Sequence, residues 1–303
     1  MKFKSVIVLG PTAVGKTSVG VHIANKFNGE IISVDSRQVY KHMDIGTGKD
    51  LHEYNLENKN IPYHLIDIIE PTEEFDLFKF IISFNEAFTV VEKKNKLPVI
   101  VGGTGMYLHA IIKRYELTEV NFAGRFDELN KMPHSKLIEL LKQKVGSLHN
   151  QSDLTDKERT IKALIIAEKK EGKTIKAIDA SPFIIGVTDE RDKIKKRITE
   201  RLKKRLNEGM IEEVKRLLEM GITHDKLNYF GLEYKYISLY LKGDLNYNDM
   251  YQKLNSAIHN FAKRQMTWYR KMEKEGIKIN WIKAGDTPEA EKLIREFVVG
   301  TAG

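Results

Sequence analysis

Two kinds of hydrophobic pattern alternate along the first third of the chain. Short runs of apolar and β-branched residues are typical of strands buried on both faces of a parallel sheet. Between them, apolar residues recur every three or four positions, as in a helix packed by one face. Helices are predicted directly after the first run and over Asp76–Glu92. The strand-like runs are Ser5–Leu9, Glu30–Val34, part of Ile61–Ile69, and Leu97–Val101.

The first helix should stop at Asn28-Gly29, because glycine readily takes the left-handed conformation of a helix C-cap. From about residue 115 the strand-like runs give way to amphipathic helical stretches such as Ser135–Lys144 and Leu154–Lys169. A strand over Phe183–Val187 and a helix over Arg191–Leu206 follow. The pattern predicts an α/β core of parallel strands flanked by helices, formed by residues 1–114 and 181–303, with a small all-helical domain inserted at 115–180.

Composition narrows the class of protein. The 303 residues are 41% hydrophobic and 30% charged, which describes a globular chain. No apolar run approaches the length that spans a bilayer, so we expect no membrane partner. The chain has no cysteine, which excludes disulfides and thiol catalysis and suits a reducing cytoplasm. A formal net charge of +8 favours an anionic partner.

A glycine-rich loop follows the first strand-like run. Gly10-Pro11-Thr12-Ala13-Val14-Gly15-Lys16-Thr17 fits the P-loop pattern G-x-x-x-x-G-K-[ST], with a strand before it and a helix after it. In such a loop, backbone N–H groups surround a phosphate at the positive end of the helix. Lys16 adds a point charge, and the Thr17 hydroxyl can ligate Mg²⁺. We therefore predict a P-loop NTPase-like sheet with an anion site at its edge.

Two further strand ends should face this loop, because residues just past the strands of an open α/β sheet line its ligand crevice. Asp35 follows one strand, and Gly102-Gly103-Thr104 follows another. Nucleotide-hydrolysing P-loop proteins usually carry an acidic residue at a neighbouring strand end, so Gly-Gly-Thr argues against hydrolysis. Asp35 could instead cap a turn and Thr104 the next helix, and the sequence leaves both interpretations open.

Positive charge concentrates in two later stretches. Arg191–Leu206 carries nine cations against Asp192 and Glu200, an imbalance that favours contact with an anion. Lys263–Lys271 has four cations, two aromatic residues and no acid. This second stretch suits RNA phosphates and stacking on an unpaired base, although Trp268 could equally be a core residue.

Together these motifs resemble one family, the tRNA dimethylallyltransferases, also called tRNA isopentenylpyrophosphate transferases. The resemblance covers most of the chain, in the family's order and spacing. It rests on five stretches: Gly10–Thr17, Ser33-Val-Asp-Ser-Arg-Gln-Val-Tyr40, Met43-Asp-Ile-Gly-Thr47, Val101-Gly-Gly-Thr104 and Lys263-Arg-Gln-Met-Thr-Trp268.

The resemblance implies transfer of a dimethylallyl group from dimethylallyl diphosphate to tRNA, with release of pyrophosphate. The acceptor would be the exocyclic amine of the adenosine 3′-adjacent to the anticodon. Gly10–Thr17 would hold the diphosphate with Mg²⁺ at Thr17, and Lys16 and Arg201 would neutralise the leaving group. Asp35 matches the family's catalytic aspartate, which takes the proton of the amine. Thr104 matches the threonine that contacts the bridging oxygen.

The resemblance also implies a set of tRNA contacts. The target base must be flipped out of its stack, and Ser36-Arg37-Gln38 beside Asp35 would receive it. Asp35 and Thr104 would themselves be among the residues that contact the tRNA. The inserted domain would hold the anticodon stem. In that domain the resemblance assigns tRNA contacts to Arg125, Glu158, Arg159, Thr160, Ile161 and Lys162. The basic stretch described above adds Lys263, Arg264, Gln265, Trp268 and Arg270 to the expected tRNA-binding residues.

The chain departs from the family pattern at two places. Gly231-Leu232-Glu233-Tyr234 stands where members usually carry Gly-Tyr-Lys/Arg-Glu/Gln. Lys162 occupies the second arginine position of an Arg-x-x-Arg-Ala element, which keeps the charge and loses the bidentate fork.

Three other functions compete with this one. A prenyltransferase for free adenine nucleotides leaves the basic stretches unexplained. A P-loop kinase or NTPase is disfavoured by the strand that ends in Gly-Gly-Thr. A non-catalytic RNA-binding protein would have no use for Asp35 and Thr104 beside a P-loop. We expect a cytoplasmic protein that acts as a monomer.

Overall fold

The computed structural model of the protein describes residues 4–56, 59–145, 154, 156–168 and 172–299. Its strands are short. The strands at residues 5–9, 29–34, 63–64, 97–102 and 182–188 match the apolar runs of the sequence, and the other five described strands were not predicted. The strands are β1 (Ser5–Leu9), β2 (Gly29–Val34), β3 (Asn55–Leu56), β4 (Lys59–Asn60), β5 (Tyr63–His64), β6 (Leu97–Gly102), β7 (Glu116–Thr118), β8 (Thr174–Lys176), β9 (Pro182–Thr188) and β10 (Asn280–Lys283).

The helices at residues 16–26, 77–93, 134–144, 157–168 and 191–207 match stretches that the sequence predicts as helical. The helices are α1 (Lys16–Lys26), α2 (Leu77–Lys93), α3 (Gly105–Ile112), α4 (Arg125–Asn130), α5 (His134–Lys144), α6 (Lys157–Glu168), α7 (Arg191–Asn207), α8 (Met210–Glu219), α9 (His224–Phe230), α10 (Leu232–Leu241), α11 (Tyr247–Lys274) and α12 (Thr287–Val299). Leu51–Tyr54 forms a 3₁₀ turn. Lys169, the last residue of the helix expected over Leu154–Lys169, lies outside the described residues.

A six-stranded sheet in the order β10-β9-β1-β6-β2-β5 forms the core. All of its strand pairs are parallel, as the sequence predicts. Gly102 pairs with Leu9 on one side and with Val34 on the other. The carboxyl ends of β1, β6 and β2 therefore meet at one edge. This edge is where the chain leaves the three strands, so it carries the P-loop after β1, Asp35 after β2 and Gly103-Thr104 after β6.

The turn between α1 and β2 differs from the expectation that Gly29 would end the helix. Asn28 is the left-handed residue, with φ of 53°, and Gly29 is already the first residue of β2. Asparagine tolerates this conformation because its short polar side chain can bond locally. Gly29 is needed for close approach, since a Cβ there would lie 2.7 Å from the Leu97 carbonyl oxygen.

The chain forms two compact units, residues 1–114 with 178–303 and residues 115–177. Ile178–Ala180, predicted as the end of the insertion, thus belong to the unit that holds the sheet. The smaller unit packs α4, α5 and α6 around its own core, which includes Leu137, Ile161 and Leu164. It is not all-helical, because β7 and β8 pair as an antiparallel ribbon. No helix in the described ranges is long and apolar enough to cross a membrane.

A buried carboxylate helps to hold the strand that precedes Asp35. Glu30 in β2 is 4% exposed and lies 2.8 Å from Nε2 of His64, on β5, and 3.0 Å from Nζ of Lys94. Burial alone would raise the pKa of Glu30, but the hydrogen bonds with His64 and Lys94 outweigh it, so the pKa is lowered. Stability from this group is present above the ordinary pKa of about 4.5 and is lost as pH falls through the lower folded-state value.

We expect Glu30→Gln to lower the free energy of unfolding at pH 7 by about 1–3 kcal/mol, because His64 and Lys94 lose a charged acceptor. The deficit should shrink as pH falls from 4.5 through the lower pKa of the folded protein, because the wild-type carboxylate is then progressively protonated. Urea unfolding at pH 7 and pH 4 measures both effects. Glu92→Gln, at an exposed position of α2, is the matched control. A Glu30→Gln protein as stable as wild type at pH 7 would contradict this role.

Candidate active site

A cleft of about 330 Å³ opens at the carboxyl edge of the sheet. Its walls come from the P-loop, the ends of β2 and β6, the segment 47–54, and the helices α7 and α11. Lys16, Thr17, Asp35 and Arg201, all predicted from sequence, line it together. Segments far apart in the chain thus converge on one place, as the switch point of a parallel sheet requires.

The P-loop backbone shows why its glycines are needed. Gly10 lies so close to β9 that a Cβ would sit 2.2 Å from the Val187 carbonyl oxygen. Gly15 has a φ of 80° and precedes α1 directly, and Ala13 is also left-handed, with a φ of 65°. Nζ of Lys16 reaches back to the Pro11 carbonyl oxygen at 2.8 Å. The loop is therefore curled and its lysine folded over it, the arrangement that cradles a phosphate.

Two side chains of α11 fasten the P-loop to the end of β6. Gln265, 5% exposed, accepts the Thr12 N–H at 2.8 Å and donates to the Gly103 carbonyl oxygen at 2.9 Å. One turn later, the buried Tyr269 hydroxyl donates to the Gly10 carbonyl oxygen at 3.0 Å. Gln265, which the sequence analysis expects to bind tRNA, thus uses both polar atoms of its side chain in hydrogen bonds to the protein backbone.

Asp35 and Thr104 lie at adjacent strand ends, and both are tied to the turn after β2. The Asp35 carboxylate accepts the Arg37 N–H at 2.9 Å, so the turn-capping interpretation of Asp35 is correct and coexists with its place in the cleft. Thr104 precedes α3 but makes no side-chain capping bond to it. Its hydroxyl accepts the Ser36 N–H at 3.3 Å instead. Thr104 is therefore the N-cap residue of α3 by position, but its side chain bonds to the turn after β2 and does not cap the helix.

The predicted base-receiving residues divide between two surroundings. Gln38 lines the cleft, where it accepts a hydrogen bond from Ser33 Oγ at 3.0 Å and donates to the Gly48 carbonyl oxygen at 3.0 Å. The Arg37 guanidinium lies over the Tyr229 ring, 4.8 Å from its centroid. Gln38 is thus held within the cleft, whereas Arg37 packs on an exposed aromatic residue of α9.

Two cations are partly stripped of water inside the cleft. The pKa of the Lys16 ammonium is lowered to about 8, mainly by burial and then by the Arg201 charge, while Asp35 opposes the shift. Burial, followed by the charge of Arg205, lowers the pKa of Arg201 to about 10. The Arg201 guanidinium donates to the Thr12 hydroxyl of the P-loop. An anion bound between these groups would relieve both penalties, so the cleft favours a polyanion.

The remaining basic residues of α7 do not act as one anion-binding face. Four lysines pair along the helix surface with acids three or four positions away. They are Lys193 with Glu190, Lys195 with Asp192, Lys196 with Glu200 and Lys204 with Glu208. Only Arg197 and Arg201 of the helix's described cations line the cleft. Anion contact by α7 therefore stays a prediction for Arg197, which also pairs with Asp189, and for Arg201, whereas Arg205 is buried and pairs with Asp50.

The basic stretch of α11 exposes its cations on the side away from Gln265. Lys263, Arg264 and Arg270 are all exposed. Trp268 is half-buried against Gly105, where a Cβ would lie 2.5 Å from its ring, and Lys271 sits 5.0 Å from its ring centroid. Trp268 is thus largely a packing residue between α3 and α11, as the core interpretation predicts.

The predicted tRNA contacts of the insertion vary in accessibility. Arg125 pairs with Glu168 at 2.9 Å and with Glu128 at 2.7 Å. In α6, Arg159 and Glu158 are exposed, and Lys162 pairs with Glu158. Thr160 and Ile161 are completely buried in the core of this unit. Those two side chains face inward, so the assignment of every residue from 158 to 162 to an RNA surface is too broad.

Several cleft residues escaped the sequence analysis. Arg197 lies one turn before Arg201 on α7, and this spacing of four could have identified it. Phe261, 38% exposed, lies one turn before Gln265 in the same way. Asp50, Glu53 and Tyr54 come from the 3₁₀ turn and its approach, where no periodic pattern marks them. Only the fold brings this turn to the P-loop.

The cleft offers oxygen donors that fit a divalent cation. The Thr17 hydroxyl lines it beside the P-loop, and the carboxylates of Asp50 and Glu53 line it as well. Oε2 of Glu53 is buried without a hydrogen-bond partner. Hard cations such as Mg²⁺ take hydroxyl, carboxylate and phosphate oxygens of this kind. In the described part of the chain no three histidine or acidic side chains cluster as a ready-made metal site, so a metal here would need ligands from an anion.

Comparison with known proteins agrees with the resemblance drawn from the motifs. The model of the IPP transferase family matches residues 38–272, and that of the isopentenyl transferase family matches residues 3–66. Together the matches extend from β1 to the last turn of α11. They include the P-loop, Asp35, Thr104, and the α11 residues Gln265 and Tyr269 that bond to the P-loop.

Relatives match over almost their whole length. The chain is 47% identical to tRNA dimethylallyltransferase 1 of Geotalea uraniireducens, covering 97% of this chain and 98% of the relative. It is 48% identical to tRNA dimethylallyltransferase 1 of Geotalea daltonii, covering 97% and 95%. The crystal structure of the full-length tRNA isopentenylpyrophosphate transferase from Bacillus halodurans superposes with a TM-score of 0.70 at 31% identity, covering 98% and 96%. The protein therefore belongs to the IPP transferase family.

Proposed function

We propose that this protein transfers the dimethylallyl group of dimethylallyl diphosphate to the exocyclic amine of an adenosine in tRNA, at the position 3′-adjacent to the anticodon. The observation that carries the proposal is the cleft that Lys16, Arg201 and Asp35 line together. This cleft places an anion site beside a carboxylate that can act as a base. The proteins to which the chain is 47% and 48% identical are named tRNA dimethylallyltransferases. A kinase would need an acidic strand end where this chain has Gly102-Gly103.

The diphosphate would lie in the P-loop with Lys16 and Arg201 around it. Both cations are desolvated in the free protein, so negative charge that grows on the leaving pyrophosphate meets donors already in place. Thr104 adds a hydroxyl at the neighbouring strand end, bonded to the residue that follows Asp35. Because that oxygen accepts the Ser36 N–H, its own hydrogen remains to be donated to the bridging oxygen of the diphosphate.

Asp35 would accept the proton of the attacking amine. As the carbon–oxygen bond to the diphosphate breaks, a carbon–nitrogen bond forms, and the amine must lose one proton to become the neutral product. The Arg37 N–H holds the Asp35 carboxylate at 2.9 Å, which fixes its direction. A base held in this way contributes about 10²- to 10⁴-fold to such a reaction.

Mg²⁺ is the metal that we propose, bound by the Thr17 hydroxyl and the diphosphate oxygens, with Asp50 and Glu53 on the same cleft wall. When bound, it would neutralise part of the charge on the leaving group. The RNA would reach the cleft along the exposed cations of α11, while the insertion would hold the anticodon stem. A monomer in the cytoplasm would suffice for this reaction.

Asp35→Asn should reduce turnover by at least about 100-fold. The amide oxygen still accepts the Arg37 N–H, so the turn is preserved while the base is lost. We would measure transfer of radiolabel from dimethylallyl diphosphate to an anticodon stem-loop RNA, and RNA binding by the same variant. Full turnover in Asp35→Asn would remove Asp35 from the mechanism.

Two further assays distinguish the proposed activity from the alternative functions. Labelling of AMP without labelling of RNA would identify an adenine-nucleotide prenyltransferase. Transfer of the ATP γ-phosphate without any prenyl transfer would identify a kinase. Neither result is expected, because a cleft for a free nucleotide needs no exposed cations along α11.

Lys16→Ala should weaken binding of inorganic pyrophosphate about ten- to a hundredfold, the usual effect of removing one charged hydrogen bond. Isothermal titration with and without Mg²⁺ would measure it, and chelation of the metal should weaken the wild-type protein as well. Lys26→Ala, at the exposed far end of the same helix, is the control and should bind normally. Equal affinity in the two variants would place the anion elsewhere.

The combined change of Lys263, Arg264 and Arg270 to alanine should weaken binding of the stem-loop RNA and leave pyrophosphate binding intact. The dependence of log affinity on log salt should flatten by about one for each RNA phosphate that these cations neutralise in the wild-type complex. Filter binding at several salt concentrations tests this. Lys253→Ala, an exposed change near the start of the same helix, is the control. An unchanged salt slope in the triple variant would exclude this face from the RNA interface.

A further inference from the structure

One buried carboxylate outside the cleft controls a loop that lines it. Glu213 in α8 is 1% exposed. Its Oε2 accepts the N–H groups of Asp44 at 2.9 Å and Ile45 at 2.7 Å, and its Oε1 accepts that of Gly46 at 3.0 Å. Three consecutive backbone amides therefore point at a single side chain more than 160 residues away. A loop held in this way takes its position from α8.

Tyr234 in α10 completes the seat of this loop. Its hydroxyl donates to Oε1 of Glu213 at 2.8 Å, and its ring is 1% exposed. Gly46 packs directly on that ring, since a Cβ there would lie 2.6 Å from ring atom Cζ. Tyr234 belongs to Gly231–Tyr234, the stretch in which this chain departs from the family pattern. One residue of this divergent stretch, Tyr234, therefore supports the 44–46 loop from inside the protein.

The loop passes this position on to the cleft. Residues 47 to 50 follow Gly46 directly, and Thr47, Gly48 and Asp50 line the cleft wall. The Gly48 carbonyl oxygen accepts the Gln38 side-chain amide at 3.0 Å. Arg205 packs on Gly48 and bonds to Asp50 at 3.1 Å. A shift of the 44–46 segment would therefore move both the wall and the group that orients Gln38.

The diphosphate side of the cleft is held by different residues. Gln265 and Tyr269 of α11 fix the P-loop, and Arg201 bonds to Thr12. None of these bonds involves Glu213 or Tyr234. The two halves of the cleft can therefore be disturbed one at a time.

We propose that Glu213, supported by Tyr234, is a positioning residue for the nucleotide acceptor. It sets the 44–48 loop so that Gly48 and Gln38 form the surface against which the target base lies. The inference rests on the proposed prenyl transfer to RNA. It concerns recognition of the acceptor and leaves the chemistry at Asp35 and the P-loop unchanged.

The test is Glu213→Gln, which replaces one acceptor oxygen by a donor NH₂ group that cannot receive a backbone N–H. We expect KM for the stem-loop RNA to rise at least tenfold, while KM for dimethylallyl diphosphate and the affinity for inorganic pyrophosphate stay within twofold. Amide hydrogen exchange should accelerate at residues 44–46 and not in the P-loop. Glu212→Gln, at the exposed neighbouring position, should match wild type.

Tyr234→Phe keeps the ring and the three amide bonds and removes only the hydroxyl donor, so it should raise the RNA KM by two- to fivefold. It serves as the test if Glu213→Gln does not fold. An unchanged RNA KM in both variants, or an equal drop in pyrophosphate affinity, would overturn the inference. A wild-type protein that modifies no RNA would overturn the proposed function itself, a result seen before any variant is made.

Discussion

The side-chain amide of Gln265 is the interaction on which the cleft depends. It accepts a P-loop N–H with its oxygen and donates to the end of β6 with its nitrogen, so two loops from different strands keep a fixed separation. A carboxylate could not donate and an apolar side chain could do neither. Gly103 leaves the space for this amide, because a Cβ there would lie 2.4 Å from its nitrogen. The Tyr269 hydroxyl adds a second tie one helical turn away.

Next to these loops, the protein buries two cations whose charged forms are disfavoured until an anionic substrate binds between them. Lys16 and Arg201 are neighbouring cations that are both partly removed from water. Burial is the main reason that the pKa of each is lowered. Asp35 is close enough to moderate both charges. Cations held ready in a partly buried cleft need little rearrangement when negative charge appears, which is the usual source of electrostatic stabilisation in group transfer. A P-loop gives this capacity to any diphosphate, and the neighbouring strand ends determine which bond is broken.

The cleft is assembled from two sets of supports. On the diphosphate side, α11 and α7 bond to the P-loop. On the other, α8 and α10 hold the loop that Gln38 contacts. This separation explains how Tyr234 can differ from the family pattern while the P-loop and Asp35 keep it. Compensating changes need only preserve a donor for Glu213 and a flat surface for Gly46.

Local spacing determined the parts of the protein whose physics is local. The P-loop, the buried strands and α1 follow from contiguous residues, and so does the placement of Asp35 and Gly102-Gly103-Thr104 at strand ends, because parallel strands share an edge. The family resemblance extended this to Arg201. The sequence missed the β7–β8 ribbon, whose strands of three residues are too short to show alternation. The pattern also predicted that Gly29 would take the left-handed conformation, whereas Asn28 does so.

Tertiary structure alone decided which partner each of several polar side chains has. Gln265 faces the P-loop while its neighbour Arg264 faces solvent, and Arg201 enters the cleft while Lys204 pairs on the surface. Thr160 and Ile161 turn into the core of the insertion. Glu213 looks like any helical glutamate until the fold brings three amides to it. These roles depend on partners 150 or more residues away or on which face of a helix is covered, and no short pattern in the chain encodes either.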